Sequence, residues 1–242
     1  MNRSSFRALA ILGATGLAAL ALAYVWTSSD RYASTTLNGY TLYNDVWGSG
    51  AGPQTIWANS GTNWGVNSNQ PSTGGVKSYP NATRYLNKAL GSINTLSSTS
   101  VITTPSGGAW EATYDIWDTG NRYETMIWLN YTGTSTGGGN VKPISFNYDA
   151  SGNAVPVYTN VSIGGATWNV FQGNNGSNAV FSFLRTTKTN NTTVDAKAIL
   201  NWIVAKRWMS NVTIGNYQFG FEITSTSGTQ AFAVNSYSLT VN

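Results

Sequence analysis

Two stretches of the chain alternate between apolar and polar residues, as strands do when only one face packs on a core. They are AWEATYDIW at 109–117 and YETMIWLNY at 123–131. Because successive side chains of a strand point to opposite faces, each stretch should have one core face and one polar face. In the second stretch the polar face contains Glu124, Met126, Trp128 and Asn130, and the core face contains Tyr123, Thr125, Ile127, Leu129 and Tyr131. The link DTGNR contains glycine, so we expect a hairpin that sets the two strands side by side.

From residue 38 onward the chain consists of short runs rich in β-branched and aromatic residues, separated by Gly, Asn, Ser and Pro. Such spacing predicts an all-β sandwich. The other predicted strands are 40–46, 54–58, 62–66, 76–79, 154–160, 163–172, 178–187, 215–224 and 229–240. Thr192 to Met209 differs, because its apolar residues recur at helical intervals and Thr192 and Asp195 have capping-box spacing. We expect a single amphipathic helix there, packed on the outer sheet.

The N-terminus has the layout of a secretory signal peptide or signal anchor. Residues 1–7 carry two arginines, and residues 8–26 are uncharged and largely apolar. The tripeptide Ala21-Leu22-Ala23 offers a cleavage site, but the apolar run approaches the length that spans a bilayer, so a cleaved and an anchored form are both open. We therefore predict a signal segment at 1–26, a polar linker at 27–37 and one domain at 38–242, in a protein that is extracellular or held at the cell surface.

Composition narrows the possible chemistry. The chain has no Cys and no His, which excludes a Ser-His-Asp triad, a Cys nucleophile with a His base and an ordinary zinc site. We predict no metal and no cofactor. Charged residues make up 9% of the chain, where about 25% is usual. The net charge of +4 comes from scattered Lys and Arg, so we expect no nucleic-acid partner.

Four acids lie on the polar faces of predicted strands, and one of them, Glu111, shares its strand face with Asp115. Glu124 and Asp115 belong to the two alternating stretches and could be neighbours across the hairpin, and Glu222 is on the polar face of NYQFGFEIT at 216–224. Glycoside hydrolysis needs two carboxyl groups in one groove, one to act at the anomeric carbon and one to protonate the leaving oxygen. Surface acids on a solvated face would give the same periodicity. The scarcity of acids in this chain favours the functional interpretation.

Five motifs, in this order, make the chain resemble glycoside hydrolase family 12, the compact endo-β-1,4-glucanases and xyloglucanases. They are GYTLYNDVWG at 39–48, VKSYPN at 76–81, ATYDIW at 112–117, YETMIWL at 123–129 and QFGFE at 218–222. The resemblance covers 38–242 and implies a two-sheet antiparallel jelly-roll sandwich, concanavalin A-like, with a concave substrate cleft. It also implies endo-acting, retaining cleavage of β-1,4-glucosidic bonds in cellulose-type glucans. We further expect a monomer that meets a membrane only through residues 1–26, if these are uncleaved.

The resemblance assigns roles to particular residues. Glu124 would be the nucleophile, Glu222 the general acid/base and Asp115 the helper carboxylate beside Glu124. The substrate-binding residues would be Asn44, Trp47, Met126 and Trp128. Trp47 would be a stacking platform at the non-reducing side of the cleft. The alternative is that its side chain packs in the core.

The chain departs from the family pattern at two places. The neighbourhood of the acid/base reads GFEIT where GTEPF is common, so Phe221 and Ile223 would change the subsites on the reducing-end side. Asp45 stands where relatives often carry Asn. A non-catalytic carbohydrate-binding protein would also fit the composition, but it does not need two acids aimed at one bond. A structural cell-surface subunit would fit it too, but that alternative leaves the five motifs unexplained.

Overall fold

Two β-sheets stack face to face in a computed structural model that describes residues 23–132 and 141–242. The six-stranded sheet contains, in spatial order, β1 (Trp26–Ser28), β4 (Gln54–Ser60), β5 (Asn63–Ser68), β15 (Gln230–Val241), β7 (Leu96–Thr103) and β13 (Asn191–Asp195). The nine-stranded sheet contains β10 (Tyr158–Ile163), β11 (Ala166–Asn174), β12 (Ala179–Arg185), β9 (Tyr123–Tyr131), β8 (Ala109–Asp118), β14 (Thr213–Ser225), β6 (Asn81–Ala89), β3 (Tyr40–Tyr43) and β2 (Ser34–Leu37). The predicted sandwich is confirmed.

The main core lies between the two sheets and is rich in aromatic rings. Trp64 of the six-stranded sheet meets Phe221 of the nine-stranded sheet edge to face, with ring centroids 6.0 Å apart. From β8, the residues Ala112, Tyr114 and Ile116 enter this core. Because β8 alternates strictly at these positions, its other face is free to carry carboxyl groups.

One pair of strands is parallel, whereas we predicted only antiparallel pairing. β12 runs parallel to β9, with Val180 opposite Glu124. Between β9 and β12 the chain passes through residues 132–157 and then through the antiparallel strands β10 and β11. The hairpin between β11 and β12 therefore returns the chain beside β9 in the same direction. This crossover brings the turn before β12 next to Glu124.

The prediction of a polar linker at 27–37 is wrong. β1 pairs with β4 at one edge of the six-stranded sheet, and β2 pairs with β3 at one edge of the nine-stranded sheet. Edge strands pair on one side only and are partly solvated, so STTL can form a strand with few apolar residues. The signal segment predicted at 1–26 lies outside the described residues up to residue 22.

Strand β7, LSSTSVIT, was missed because two of the four buried residues on its core face are serines. Ser98 and Ser100 are buried, and their hydroxyls bond to the phenols of Tyr217 (2.8 Å) and Tyr114 (3.4 Å). Strand β6 was also missed, and the strand predicted at 76–79 is reduced to one bridge between Ser78 and Ile223.

The helix α1 spans Ala196–Ala205 and is shorter than predicted. Asp195 caps it, since its Oδ1 accepts a hydrogen bond from the Ala198 N–H at 2.9 Å, and the preceding residues Asn191–Asp195 form β13. Its buried side chains, such as Ile199 and Ile203, join the core between the sheets instead of covering the outer sheet. A short 3₁₀ helix spans Leu90–Ser92. No helix in the described part of the chain is both long enough and apolar enough to cross a bilayer.

Candidate active site

The hairpin of β8 and β9 carries two of the predicted acids to one face of the nine-stranded sheet. In the register of the pair, Trp117 lies opposite Glu124 and Asp115 lies opposite Met126. Asp115 and Glu124 are therefore diagonal neighbours, with Cα atoms about 7–8 Å apart, which long side chains can bridge. The predicted hairpin is confirmed, and the acids meet along its diagonal.

Asp118 holds the turn of this hairpin. Its Oδ1 accepts hydrogen bonds from the backbone N–H groups of Arg122 (2.7 Å) and Tyr123 (3.0 Å), and its Oδ2 meets the Arg122 guanidinium at 3.1 Å. Burial alone would raise the pKa of Asp118, but these hydrogen bonds lower it below the usual value. The Asp118 carboxylate thus fixes the register of β9 against β8.

Strand β14 lies on the other side of β8 and supplies the third predicted acid. Gln218 is opposite Asp115, and Glu222 is opposite Glu111, which also lies on the cleft face of β8. Gly220, between them, is required by the close approach of the next strand: a Cβ at this position would lie 2.0 Å from the Pro80 carbonyl oxygen. The three strands form the floor of a cleft of about 690 Å³.

The cleft brings together most of the residues that the resemblance implied. Its lining includes Glu124, Asp115, Glu222, Met126 and Trp47. Trp47 is 51% exposed, so it lies in the cleft rather than in the core and presents a flat aromatic face to solvent. Such a face can stack on a sugar ring.

Glu124 is 8% exposed and receives hydrogen bonds from two amides. Asn178 donates from Nδ2 to Glu124 Oε2 at 3.1 Å, and Asn175 donates to the same oxygen at 3.5 Å. Burial raises the pKa of Glu124 to about 7, the Asn178 bond opposes this rise, and the negative charge of Glu222 adds to it. Glu124 can therefore be ionised near neutral pH while it stays largely desolvated.

Asp115 is buried beside Glu124, and its pKa is raised well above the ordinary value. Burial is the main cause, followed by the charges of Glu124 and Glu222, while hydrogen bonds from Thr113 and Tyr79 oppose the rise. The Thr113 hydroxyl lies 3.3 Å from Asp115 Oδ1. A protonated Asp115 can hold its proton next to an ionised Glu124, since two close carboxylates do not both ionise easily.

Glu222 is partly exposed to the cleft, and Glu111 beside it is buried. Burial raises the pKa of Glu222, and a hydrogen bond from Glu111 opposes this rise. The raised pKa keeps Glu222 protonated further towards neutral pH, as a general acid requires. Among residues 23–132 and 141–242, no three acids are grouped in a way that would hold a metal ion.

The family model of glycosyl hydrolase family 12 matches residues 38–242 of the chain. The chain belongs to this family. Endoglucanase S of Pectobacterium parmentieri is 30% identical over an alignment of 218 positions, which covers 77% of this chain and 76% of that protein. The xyloglucan-specific endo-beta-1,4-glucanase A of Emericella nidulans is 27% identical and covers 88% of this chain and 90% of its own length.

A solved structure supports the same fold at higher identity. It is the xyloglucanase domain of NopAA, a type three effector from Sinorhizobium fredii in complex with cellobiose. It has 50% sequence identity to the chain and a TM-score of 0.86, and the match covers 90% of this chain and 99% of that one.

Two of the four substrate-binding residues implied by the family resemblance lie away from the cleft surface. Asn44 is fully buried, where its Nδ2 donates to the Asp30 carbonyl at 2.8 Å and its Oδ1 accepts from Gln54 at 3.0 Å. Trp128 is 1% exposed because Val141 and Phe171 cover it, although it is on the same strand face as Glu124. The predictions for Asn44 and Trp128 as residues in direct contact with substrate are therefore wrong.

The face of Tyr131 and the expected effect of Phe221 and Ile223 on the subsites also differ from the predictions. Tyr131 packs on the cleft side with Trp128, at a ring distance of 5.7 Å, because a β-bulge at Leu129 reverses the alternation of β9. Phe221 and Ile223, the departures from the family pattern near Glu222, are buried in the main core. They therefore do not line the cleft, and the expected change of subsites does not follow from them.

Sequence reasoning missed four polar residues that contact the acids. Asn175 and Asn178 lie in the turn between β11 and β12, and only the parallel pairing of β12 with β9 brings them to Glu124. Glu111 and Tyr79 lie beside Glu222 and Asp115. The sequence did place Glu111 on the same strand face as Asp115, and this was the one available signal for its position.

Proposed function

We propose that this family 12 protein is an endo-β-1,4-glucanase that cleaves β-1,4-linked glucan by a retaining double displacement. The observation that carries the proposal is the position of Glu124 and Glu222 in one cleft, on the two strands that flank β8. Burial raises the pKa of both carboxyls, and Asp115 lies between them on β8. The activities for which the relatives are named are consistent with this class of reaction.

In the first step, ionised Glu124 attacks the anomeric carbon while protonated Glu222 donates its proton to the departing glycosidic oxygen. The Asn178 amide holds Glu124 Oε2 in place. Asp115 keeps a proton next to Glu124, so that the charge of the nucleophile is shared until the glycosyl bond forms. The product is a glycosyl ester on Glu124 and a free reducing-end sugar chain.

In the second step, Glu222 is ionised and removes a proton from a water molecule that attacks the same anomeric carbon. The ester bond to Glu124 breaks, and the proton returns to Glu222. Two inversions at one carbon give a product with the original β configuration. The exposure of Trp47 in the cleft supports endo attack, in which a long glucan chain lies across the site.

We propose β-1,4-glucan chains, with xyloglucan among them, as the substrate class. Support comes from the relatives that are named as xyloglucan-specific enzymes and from the cellobiose bound to the Sinorhizobium domain. Product analysis on carboxymethyl cellulose, mixed-linkage β-glucan and xyloglucan tests this proposal. Release of only short products from chain ends would contradict endo action.

The mechanism is tested by proton NMR of the anomeric signals during early hydrolysis of a cello-oligosaccharide. Retention predicts that the β anomer forms first, whereas initial formation of the α anomer would contradict the double displacement. Glu124→Gln and Glu222→Gln should each reduce kcat at least about a thousandfold, because a nucleophile or a proton donor is lost. Asp149→Asn removes an exposed carboxylate and serves as the matched control.

We also propose that the protein is exported, on the pattern of charged and apolar residues in 1–26. Expression of the full chain, followed by fractionation and N-terminal sequencing, separates a cleaved form from an anchored form. Retention of the uncleaved protein in the cytosol would contradict export.

A further inference from the structure

Glu111 is a carboxyl group of the cleft that the mechanism above does not use. It is 2% exposed, lies on β8 and is the register partner of Glu222 on β14. One of its oxygens is engaged with Glu222. The other, Oε2, is fully buried and has no hydrogen-bond partner.

A buried acid with one unpartnered oxygen is an unfavourable choice for stability alone. Desolvation of an unpaired polar group costs free energy, and an apolar side chain of similar size would avoid that cost. The position faces a site where proton transfer takes place. A functional reason for the acid is therefore more consistent with the structure than a packing reason.

The charged and titratable groups around Glu111 favour its protonated form. Glu222 faces it from β14, and Asp115 lies four positions along its own strand. On β9 the register partner of Glu111 is Tyr131. The Lys188 ammonium group donates a hydrogen bond to the Tyr131 carbonyl oxygen at 2.6 Å, so the positive charge on this side is held at that carbonyl oxygen. Burial, and then the charge of Glu222, raise the pKa of Glu111 well above its ordinary value.

We propose that Glu111 is a positioning residue for the acid/base: its protonated carboxyl donates a hydrogen bond to Glu222 and stabilises Glu222 in its ionised form. This inference rests on the proposed function. When Glu222 gives its proton to the leaving oxygen, the Glu111 O–H meets the new carboxylate, and the proton of Glu111 stays where it is. When Glu222 recovers a proton from water, the hydrogen bond remains with a neutral partner. The cleft then contains two carboxyl pairs, Asp115 with Glu124 and Glu111 with Glu222.

The experiment compares the wild type with Glu111→Leu, which has no donor, and with Glu111→Gln, which keeps an N–H donor. The alkaline limb of kcat/KM reports loss of the proton from Glu222. Without the donor, ionised Glu222 is less stable and its pKa rises, so Glu111→Leu should move this limb to higher pH by about one unit and lower kcat by about tenfold. Glu111→Gln should keep the limb close to that of the wild type.

A merely structural role predicts a different result. In that case Glu111→Leu would raise the melting temperature and leave the alkaline limb where it is. If Glu111→Leu fails to fold, Glu111→Met takes its place, since Met also has no donor and adapts to irregular cavities. If all three proteins give superimposable pH profiles and the wild type is active, the inference about Glu111 is overturned while the proposed function stands.

A second measurement does not depend on activity. Infrared difference spectra of the free proteins at neutral pH should show a protonated-carboxyl band in the wild type that Glu111→Gln lacks. Absence of this difference would overturn the inference. A wild type that shows the band but has no activity on any β-glucan would contradict the proposed function, and with it the role of Glu111 in the reaction.

Discussion

Asn178 donates a hydrogen bond from Nδ2 to Glu124 Oε2 over 3.1 Å, between the turn that precedes β12 and the strand β9. The bond favours ionised Glu124 and so opposes the rise of its pKa that burial causes. The amide reaches Glu124 because β12 and β9 are parallel, with Ala179 opposite Tyr123. The pKa of the nucleophile therefore depends on a residue more than fifty positions away in sequence.

Asn178→Ala should move the acid limb of kcat/KM to higher pH. Without the amide the pKa of Glu124 rises above about 7, and a larger fraction of the protein has a protonated, inactive nucleophile. A shift of up to about one pH unit is expected from one lost hydrogen bond to a charged group. Ser177→Ala lies in the same turn and leaves the bond in place, so its profile should match the wild type. Identical acid limbs for Asn178→Ala and Ser177→Ala would contradict this role.

Asp118→Ala should destabilise the hairpin that carries Asp115 and Glu124. The substitution leaves the N–H groups of Arg122 and Tyr123 without their acceptor, which should lower the free energy of unfolding by about 1–3 kcal/mol. Urea unfolding followed by tryptophan fluorescence measures the change. Asp149→Ala is the matched control, because Asp149 also accepts from two backbone N–H groups but does so in an exposed loop. Equal decreases in the free energy of unfolding for the two variants would show that Asp118 contributes no more to stability than the carboxylate of an exposed loop does.

Stability should fall as pH rises from about 4.5 to about 7. The unfolded chain releases protons in this range, while the folded protein retains them on Glu124, whose pKa is raised from 4.5 to about 7, and on the other cleft carboxyls with raised pKa. Stability linked to a raised pKa is complete below the unfolded value and is lost through the folded value. The melting temperature should therefore be higher at about pH 5 than at about pH 8.

Glu124→Gln should reduce this pH dependence, because Gln has no proton to release. We expect its free energy of unfolding at about pH 8 to exceed that of the wild type by roughly 1–3 kcal/mol. Asp118 works in the opposite direction: its pKa is lowered, so its contribution is present above the ordinary value and is lost in strong acid. A melting temperature that rises steadily from pH 5 to pH 8 would contradict the assignment.

Trp47→Ala should weaken substrate binding more than it slows the chemical step. Trp47 is half-exposed in the cleft, and loss of one stacking face should raise KM roughly tenfold with a smaller change in kcat. Trp57 of the six-stranded sheet, which stacks on Tyr24 with ring centroids 4.6 Å apart, provides a control at a distance from the cleft. An unchanged KM for Trp47→Ala on long glucans would show that the ring does not hold substrate.

The sequence by itself determined the face on which the residues of β9 lie up to the bulge at Leu129, because side-chain alternation is local. It set Glu124, Met126 and Asp115 on polar faces and predicted the β8–β9 hairpin from its short link. Because the sequence contains few acids, those on polar strand faces were candidates for function, and the ordered motifs related the chain to its family. The sequence failed locally where the apolar signal is weak, at the edge strand β2 and at β7 with its buried serines.

Only the tertiary structure decided which polar residues meet and which positions on the polar face reach solvent. The parallel pairing of β12 brought Asn178 to Glu124, and the register of β14 on β8 brought Glu222 to Glu111. Coverage by Val141 buried Trp128, although alternation had placed it with Glu124. Pairing between distant strands and burial beneath another segment depend on contacts between residues far apart in the chain, and periodicity along one strand does not encode them.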